Sequence, residues 1–290
     1  MSNFLKIFDN NRCHLGEGPI WHSEKKCLIW FDILEKKMFI KSFEDKKPDI
    51  HFFDEFVSSA AIIDISNLLL SSETGLYKYD IEKRTKKKII GIEDELSSNR
   101  SNDGRVDTLG GFWISTMGKK HEKNKGAIYR FFRGEVKKLF SQISIPNSIC
   151  FSPCGKFLYF SDTLERKILK TELDSLGWPK TNTEIFLDFS KSKLNPDGSV
   201  IDTDGCLWNA QWGSFNISKY DEKGKLIKVV ALDVPLVTCP AIGGKKNSTL
   251  FVTTATEGMN NEEKIRFPKS GNVFCLEVDS FGLKEARVKL

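Results

Sequence analysis

The chain has 290 residues, 40% of them apolar, and its 44 Lys and Arg against 39 Asp and Glu give a net charge of +5. This apolar content predicts a folded protein with a substantial core. The apolar runs are too short to cross a bilayer, and no secretion signal is recognisable at the N-terminus, so we expect a cytoplasmic protein. The lysines, such as those at 86–88, are scattered among predicted hairpin turns rather than forming a basic stripe, which argues against nucleic-acid binding.

The seven cysteines and four histidines exclude some kinds of metal site. The cysteines are odd in number, and no two have the spacing of a zinc-binding pair; Cys150 and Cys154 come closest, one residue too far apart. Four histidines leave little room for a three-histidine zinc site. We therefore predict free and mostly buried thiols in a reducing compartment.

Taken in chain order, six short β-rich runs recur with a period of roughly 40 to 50 residues. They span residues 27–31, 68–72, 112–116, 157–161, 207–211 and 250–254. Most are followed by a turn and a second strand. This pattern predicts an all-β, six-bladed β-propeller in one domain over residues 1–290, with a strand around Phe4 to Phe8 closing the ring in the last blade. A β-sandwich would not give six copies of one pattern, and solenoid repeats are usually shorter.

The same position in each repeat carries a carboxylate or an amide in four of six cases. Counting back eight residues from each predicted turn gives Glu17, Ser59, Asn102, Asn147, Asp197 and Cys239. If this strand is innermost in its blade, the six side chains surround one mouth of the central channel. Two carboxylates and two amides meeting there would suit a hard cation, which also removes the repulsion between the acids. The alternative is that these residues only cap strand ends.

Several segments together resemble the senescence-marker-protein, gluconolactonase and regucalcin family. They are residues 16–21 (GEGPIW), 99–107 (NRSNDGRVD), 146–148 (PNS), 196–202 (PDGSVID) and 252–255 (VTTA), in order over nearly the whole chain. The resemblance implies a six-bladed propeller that binds one divalent metal and hydrolyses aldonolactones. It further implies Glu17, Asn147 and Asp197 as metal ligands, with Arg100 and Asn102 holding substrate hydroxyls.

One departure from the family pattern concerns the chain after Thr116. Animal calcium-binding members carry acidic residues there, whereas this chain reads Met117-Gly-Lys-Lys120, which looks like bacterial sugar lactonases. Lys120 is therefore a candidate for substrate binding, and a solvated loop lysine is the equal alternative. Pentono- and hexonolactones both remain open as substrates, and the oligomeric state is not predicted.

The chemistry expected of such a site is hydrolysis by metal-activated water. Three protein ligands leave open coordination positions at the cation for water and substrate. The cation is expected to be Ca²⁺, Mg²⁺, Mn²⁺ or Zn²⁺, and the lack of His or Cys ligands disfavours Zn²⁺. Asp197 is the expected general base. No Gly-x-Ser-x-Gly nucleophile motif is present, and Cys239 lacks a placeable histidine partner. Packing in the core is favoured over substrate contact for three tryptophans: Trp21, Trp113 and Trp208.

Two other functions use parts of the same pattern. A regucalcin-type calcium-binding protein without catalysis would need the same ligands, so only turnover tests separate it from a lactonase. A propeller that serves as a scaffold for protein partners would not need carboxylates converging on the axis. The small-molecule sugar lactone is the favoured partner, with neither nucleic acid nor membrane expected.

Overall fold

The computed structural model describes residues 5–290, in which 24 strands and one helix are found. The first strand is β1 (Lys6–Asp9). Blade 1 follows with β2 (Gly16–His22), β3 (Cys27–Asp32), β4 (Lys37–Ser42) and β5 (Asp49–Phe52). Blade 2 holds β6 (Val57–Ile62), β7 (Asn67–Ser72), β8 (Gly75–Asp80) and β9 (Thr85–Gly91). Blade 3 holds β10 (Asn99–Val106), β11 (Phe112–Gly118), β12 (Gly126–Phe132) and β13 (Glu135–Ile143).

The second half repeats the same plan. Blade 4 holds β14 (Pro146–Phe151), β15 (Phe157–Asp162), β16 (Lys167–Leu173) and β17 (Pro179–Asp188). Blade 5 holds β18 (Asn195–Ile201), β19 (Leu207–Trp212), β20 (Asn216–Tyr220) and β21 (Leu226–Ala231). Blade 6 holds β22 (Val237–Gly243), β23 (Thr249–Thr254) and β24 (Val273–Glu277), with α1 (Asn261–Arg266) between its last two strands. The described residues contain no helix of the length and apolarity needed to span a membrane.

Each blade is a four-stranded antiparallel sheet, and the first strand of each blade faces the axis. These inner strands pack side by side around a closed ring, with β2 lying between β22 and β6. The predicted six-bladed propeller is confirmed. Because the blades follow chain order around the ring, blade 3 lies opposite blade 6 and blade 1 lies opposite blade 4.

The ring is closed by the two ends of the chain. β1 pairs antiparallel with β24, with Lys6 opposite Cys275 and Ile7 opposite Phe274, and supplies the outermost strand of blade 6. The predicted closure by an N-terminal strand is confirmed for the residues from Lys6 onward; Phe4 lies outside the described residues. A strand at the start of the chain thus protects an edge that would otherwise be exposed.

The turn between the first and second strands recurs with the same backbone in five blades. A residue with positive φ occupies it at Lys26, Gly110, Gly155, Gly205 and Asn247, with angles between 54° and 93°. The lysines at 86–88, in contrast, lie in the outermost strand β9 and not in a turn. They are exposed there, so their interpretation as a solvated surface holds.

Blades 3 and 5 share a buried side-chain triad. In blade 3, Asp107 accepts hydrogen bonds from Trp113 Nε1 and Arg130 Nε, both at 2.8 Å. In blade 5, Asp202 accepts from Trp208 Nε1 at 3.1 Å, and its carboxylate lies 2.9 Å from Lys219 Nζ. Each aspartate also accepts two backbone N–H groups of the turn that follows it. The triads thus tie the turn, the second strand and the third strand together.

The tryptophans expected in the core are buried. Trp113 and Trp208 are almost fully inaccessible, and Trp21 stacks on Phe251 with ring centroids 5.4 Å apart. Truncating such a side chain to alanine costs about 3–5 kcal/mol of unfolding free energy, because the cavity left behind adds to the lost burial. The seven cysteines are free, and all but Cys154 are buried.

The C-terminal segment (residues 280–290) crosses one mouth of the channel, called the opposite mouth here. Backbone hydrogen bonds join it to blades 5, 6, 2 and 3 through Thr203, Asn247, Ile62 and Gly110. Glu285 reaches from the segment to Arg105 of β10, with Oε1 2.6 Å from Nη1. The segment therefore links four blades across this mouth.

Candidate active site at the axial cavity

The other mouth of the channel, called the site mouth, opens into a cavity of 270 Å³. Its polar lining comes from Glu17, Arg100, Asn102, Asn147, Asp197, Thr163, Asn195, His121 and Glu257, and its apolar lining from Leu15, Met117, Ile145, Leu164 and Trp212. Five residues selected from the sequence are thus brought together, from blades 1, 3, 4 and 5.

A β-bulge in every inner strand aims these side chains at the cavity. The pairing register of the inner strand shifts at the same height in all six blades, for example between Glu17 and Ile20 in blade 1 and between Asn147 and Cys150 in blade 4. Asp197 lies inside its bulge, one residue after Pro196, which pairs opposite Gln211. A bulge changes the direction of the side chains next to it. Residues whose pairing positions in the inner strands differ by one can therefore still point into the same cavity. Counting from the turns could not reveal this offset.

Gly18, in the bulge of blade 1, shows why the sequence needs glycine beside Glu17. Its φ of +56° lies in the left-handed region, and an added Cβ would stand 2.3 Å from the carbonyl oxygen of Ser58 in blade 2. Any other residue there would push blades 1 and 2 apart. The glycine N–H also donates to Glu17 Oε2 at 3.1 Å, which holds the carboxylate in place.

Two of the six residues counted in register do not line the cavity. Ser59 and Cys239 are buried within the ring. Cys239 packs against Gly198, where an added Cβ would lie 2.3 Å from its Sγ. Burial raises the pKa of the Cys239 thiol well above its usual value, so the thiolate is disfavoured. The expectation that all six side chains surround the mouth is wrong for these two, because their strands turn them inward between blades.

A chain of hydrogen bonds links the polar residues of three blades. Arg100 Nη1 donates to Asn102 Oδ1 at 2.8 Å, and Asn102 Nδ2 donates to Asn147 Oδ1 at 2.7 Å. Asn147 Nδ2 in turn donates to Thr163 Oγ1 at 3.0 Å, and that hydroxyl donates to the carbonyl of Pro196 at 2.7 Å. The network fixes both amides so that each carbonyl oxygen keeps one lone pair for a ligand.

The carboxylates of the cavity are strongly perturbed. Burial, followed by the charge of Asp103, raises the pKa of Glu17 from 4.5 to about 8. Burial and then the charge of Glu17 raise the pKa of Asp197 well above its usual range. Without a nearby cation, burial and mutual repulsion favour the protonated form of both acids. A bound cation would offset that repulsion.

Arg100 carries the positive charge of the cavity. Its side chain is buried, and burial lowers its pKa, while the nearby carboxylates of Glu257, Glu17 and Asp197 oppose that effect. The guanidinium uses Nη1 for the carbonyl of Ser101 and for Asn102. Its other nitrogens make no hydrogen bond to the part of the chain that the structure describes, and can serve a ligand.

Several residues at or near the cavity were not singled out from the sequence, and three of them lie in or close to the motifs. Asp103 follows Asn102 in β10 and accepts hydrogen bonds from the backbone of Ile149 and Gly104. Glu257 follows the VTTA segment by two residues, and Trp212 ends β19. Neighbouring motifs marked all three positions, but only the backbone path shows that Glu257 and Trp212 face the cavity.

Lys120 lies elsewhere. It is exposed in the turn after β11, its backbone N–H donates to Glu122 Oε2 at 3.0 Å, and it is not among the cavity-lining residues. A role for Lys120 in substrate binding would need its exposed side chain to reach towards the cavity, which the adjacent His121 lines.

The donor set at the cavity is made of oxygens. Among residues 5–290, no three His, Cys, Asp or Glu side chains are grouped as a metal site, so a cation here would need the amide oxygen of Asn147 beside the two carboxylates. Carboxylate and amide oxygens are the donors that hard divalent cations prefer. The residues present therefore fit such an ion.

Comparison with known proteins places the chain in a family. Residues 15–256 match the family model described as SMP-30/Gluconolactonase/LRE-like region. A Rhizobium meliloti (strain 1021) protein named "Putative sugar lactone lactonase" is 35% identical over 277 residues, which is 95% of this chain and 94% of that protein. A 6-deoxy-6-sulfogluconolactonase from Pseudomonas putida is 27% identical over 98% of both chains.

Among solved structures, a calcium-binding protein named regucalcin from Agrobacterium tumefaciens strain C58 is 36% identical. It superposes with a TM-score of 0.96 over 98% of this chain and 97% of its own. The fold, the ordered motifs and the family match lead to one conclusion: this chain belongs to the SMP-30/gluconolactonase/LRE-like family.

Proposed function

We propose that this protein hydrolyses a sugar lactone to the aldonic acid, with a divalent cation held by Glu17, Asn147 and Asp197. The observation that carries the proposal is the convergence of these three side chains, with Arg100 beside them, on one cavity of 270 Å³. The names of the relatives from Rhizobium meliloti and Pseudomonas putida support the substrate class. The reaction is the addition of water across an ester bond, which needs a base, an oriented ester and charge stabilisation.

The fit of a cation rests on the electrostatics of the site. Two buried carboxylates whose pKa values are both raised lie in one cavity, and Glu17 is among the charges that raise the pKa of Asp197. The amide oxygen of Asn147, fixed by Asn102, completes an oxygen donor set. Such donors favour Ca²⁺, Mg²⁺ or Mn²⁺ over Zn²⁺. A bound divalent cation supplies Lewis acidity, which polarises the ester carbonyl and favours ionisation of water.

Asp197 is the proposed general base. Its carboxylate accepts the proton of the water whose oxygen attacks the lactone carbonyl carbon. The bond between that carbon and the ring oxygen then breaks. The ring oxygen takes the proton back from Asp197 and becomes a hydroxyl, so the base is regenerated and the product is the open aldonic acid.

Arg100 and Asn102 are the proposed substrate-positioning pair. The free guanidinium nitrogens of Arg100 donate to sugar oxygens, and the remaining lone pair of Asn102 Oδ1 accepts from a sugar hydroxyl. Trp212 and Met117 offer apolar surface to the carbon side of the ring. A contribution of Lys120 to substrate binding remains a proposal, and it depends on its exposed side chain reaching the cavity.

A cytoplasmic location is also proposed. Its support is the set of seven free thiols, since such a composition is typical of reducing compartments.

The test is a pH-indicator assay of pentono- and hexonolactones with chelator-treated protein, repeated with each cation restored singly. We expect turnover only with cation present. Turnover unaffected by chelation would contradict the cation, and absence of turnover with every lactone and cation would contradict the lactonase. In the second case, tight Ca²⁺ binding by calorimetry would favour the non-catalytic calcium-binding alternative, which the name of the Agrobacterium tumefaciens relative supports.

A further inference from the structure

His121 and Glu257 meet across the site mouth. His121 lies in the loop between β11 and β12 of blade 3, and Glu257 lies between β23 and α1 of blade 6, which are opposite blades. Their side chains line the cavity, with His121 Nε2 3.9 Å from Glu257 Oε1. Two loops from opposite sides of the ring therefore approach each other at the cavity that Arg100 also lines.

No residue between 5 and 290 forms a hydrogen bond with the side chain of His121 or Glu257. A separation of 3.9 Å is too long for a hydrogen bond. The carboxylate of Glu257 accepts no hydrogen bond from any described residue, although only 24% of the side chain is exposed. A ligand hydroxyl placed between the two groups would replace one long contact with two bonds of ordinary length.

The charge of Glu257 gives it a second role. Its carboxylate adds negative charge to a site mouth where Glu17, Asp197 and the neighbouring Asp103 already outnumber the cationic Arg100. A negatively charged ligand group placed beside Glu257 is therefore repelled.

We propose that Glu257, together with His121, binds hydroxyls of the lactone at the end remote from the ester, and that Glu257 excludes lactones with an anionic group there. The inference rests on the proposed function and narrows it to uncharged polyhydroxy lactones. The physical reason is that a phosphate or sulfonate at that end would face a partly buried carboxylate, and close like charges of this kind lower binding by about 10- to 100-fold.

The first experiment compares kcat/KM for a hexonolactone and its 6-phosphate in the cation-loaded protein. We expect wild type to prefer the neutral lactone, Glu257→Gln to lower that preference by about 10-fold, and Glu257→Lys to lower it further. Glu262→Gln is the matched control, because it removes an equal charge from exposed α1, outside the cavity. An unchanged preference in both Glu257 variants, or an equal change in the Glu262 control, overturns the inference.

The second experiment needs no turnover. Binding of 1,5-anhydroglucitol, a ring with hydroxyls but no ester, is measured by ligand-observed NMR on the cation-free protein. We expect binding about 5- to 10-fold weaker in Glu257→Gln and unchanged in Glu262→Gln. Equal binding in wild type and Glu257→Gln, or none in wild type, overturns the hydroxyl-binding role. If no lactone is hydrolysed while this binding result holds, the proposed reaction fails and the hydroxyl site stands.

Discussion

The two mouths of the channel both carry buried carboxylates, but only the opposite mouth pairs its carboxylate with a cationic side chain. At the site mouth, Glu17 and Asp197 are buried with raised pKa values, and neither has a cationic partner within hydrogen-bonding distance in the described chain. At the opposite mouth, Glu285 pairs with Arg105 at 2.6 Å and the C-terminal segment crosses the opening. The first arrangement costs stability and leaves charges ready for a ligand. The second pairs its charges within the protein. The residues that pair within the protein and the residues proposed to act on a ligand thus lie at opposite ends of the channel.

The largest expected effect is on turnover at the site mouth. Asp197→Asn should lower kcat by about 10²- to 10⁴-fold, because it removes the proposed base and a cation ligand. The unfolding free energy of the cation-free protein should not fall, since the variant removes a carboxylate that burial disfavours. Turnover by the pH-indicator assay and urea denaturation measure the two quantities.

The matched control for this variant is Asp188→Asn, an exposed aspartate in β17. It should change neither turnover nor stability. Wild-type turnover in Asp197→Asn would exclude Asp197 as the base.

The next effect is on stability at the opposite mouth. Glu285→Ala should lower the unfolding free energy by about 2–4 kcal/mol, because it leaves Arg105 largely buried without its partner. Lactonase activity of the folded variant should stay close to that of wild type. Substitution of both Glu285 and Arg105 by apolar residues should recover part of the loss. A large loss of activity with unchanged stability would contradict the separation of the two mouths.

A third effect links pH to the cation. Folding raises the pKa of Glu17 to about 8 from 4.5, so the folded state binds more protons than the unfolded state between these values. The stabilising contribution is therefore complete below pH 4.5 and is lost as the pH rises through 8. We expect the Tm of the cation-free protein to fall between pH 5 and 8.5, and we expect added divalent cation to raise Tm most at the upper end.

Glu17→Gln is the control for the pH effect. It should flatten the dependence of Tm on pH and weaken stabilisation by the cation. An identical pH profile in wild type and variant would show that Glu17 does not hold the proton in question.

The smallest effect concerns the rim of the opposite mouth. Arg287 of the C-terminal segment pairs with Glu24 at 2.6 Å, but both side chains are substantially exposed. Exposed pairs of this kind contribute little, so Arg287→Ala should leave Tm within experimental error. A clear loss would mean that the C-terminal segment depends on its side chains more than on its backbone hydrogen bonds.

The sequence was a good guide where the chain repeats itself. The period, the turn residues and the strand patterns predicted six blades. Counting back from the turns, together with the ordered motifs, placed Glu17, Asn147 and Asp197 at one mouth of the channel. It was a poorer guide where a bulge or a loop decides direction. The bulges move the converging position by one residue between blades, so Ser59 and Cys239 were misplaced. Glu257 faces the cavity through a loop whose course no periodicity describes.

The pairing of β1 with β24 has a consequence for synthesis. The ribosome makes residues 6–9 before the blades, yet their partner at residues 273–277 emerges only after the first five blades have been translated. At about 5–20 residues per second, the first strand waits roughly 15 to 50 s before the ring can close. During that time the nascent blades present open sheet edges, and these edges are the surfaces on which chaperones or unwanted association would act.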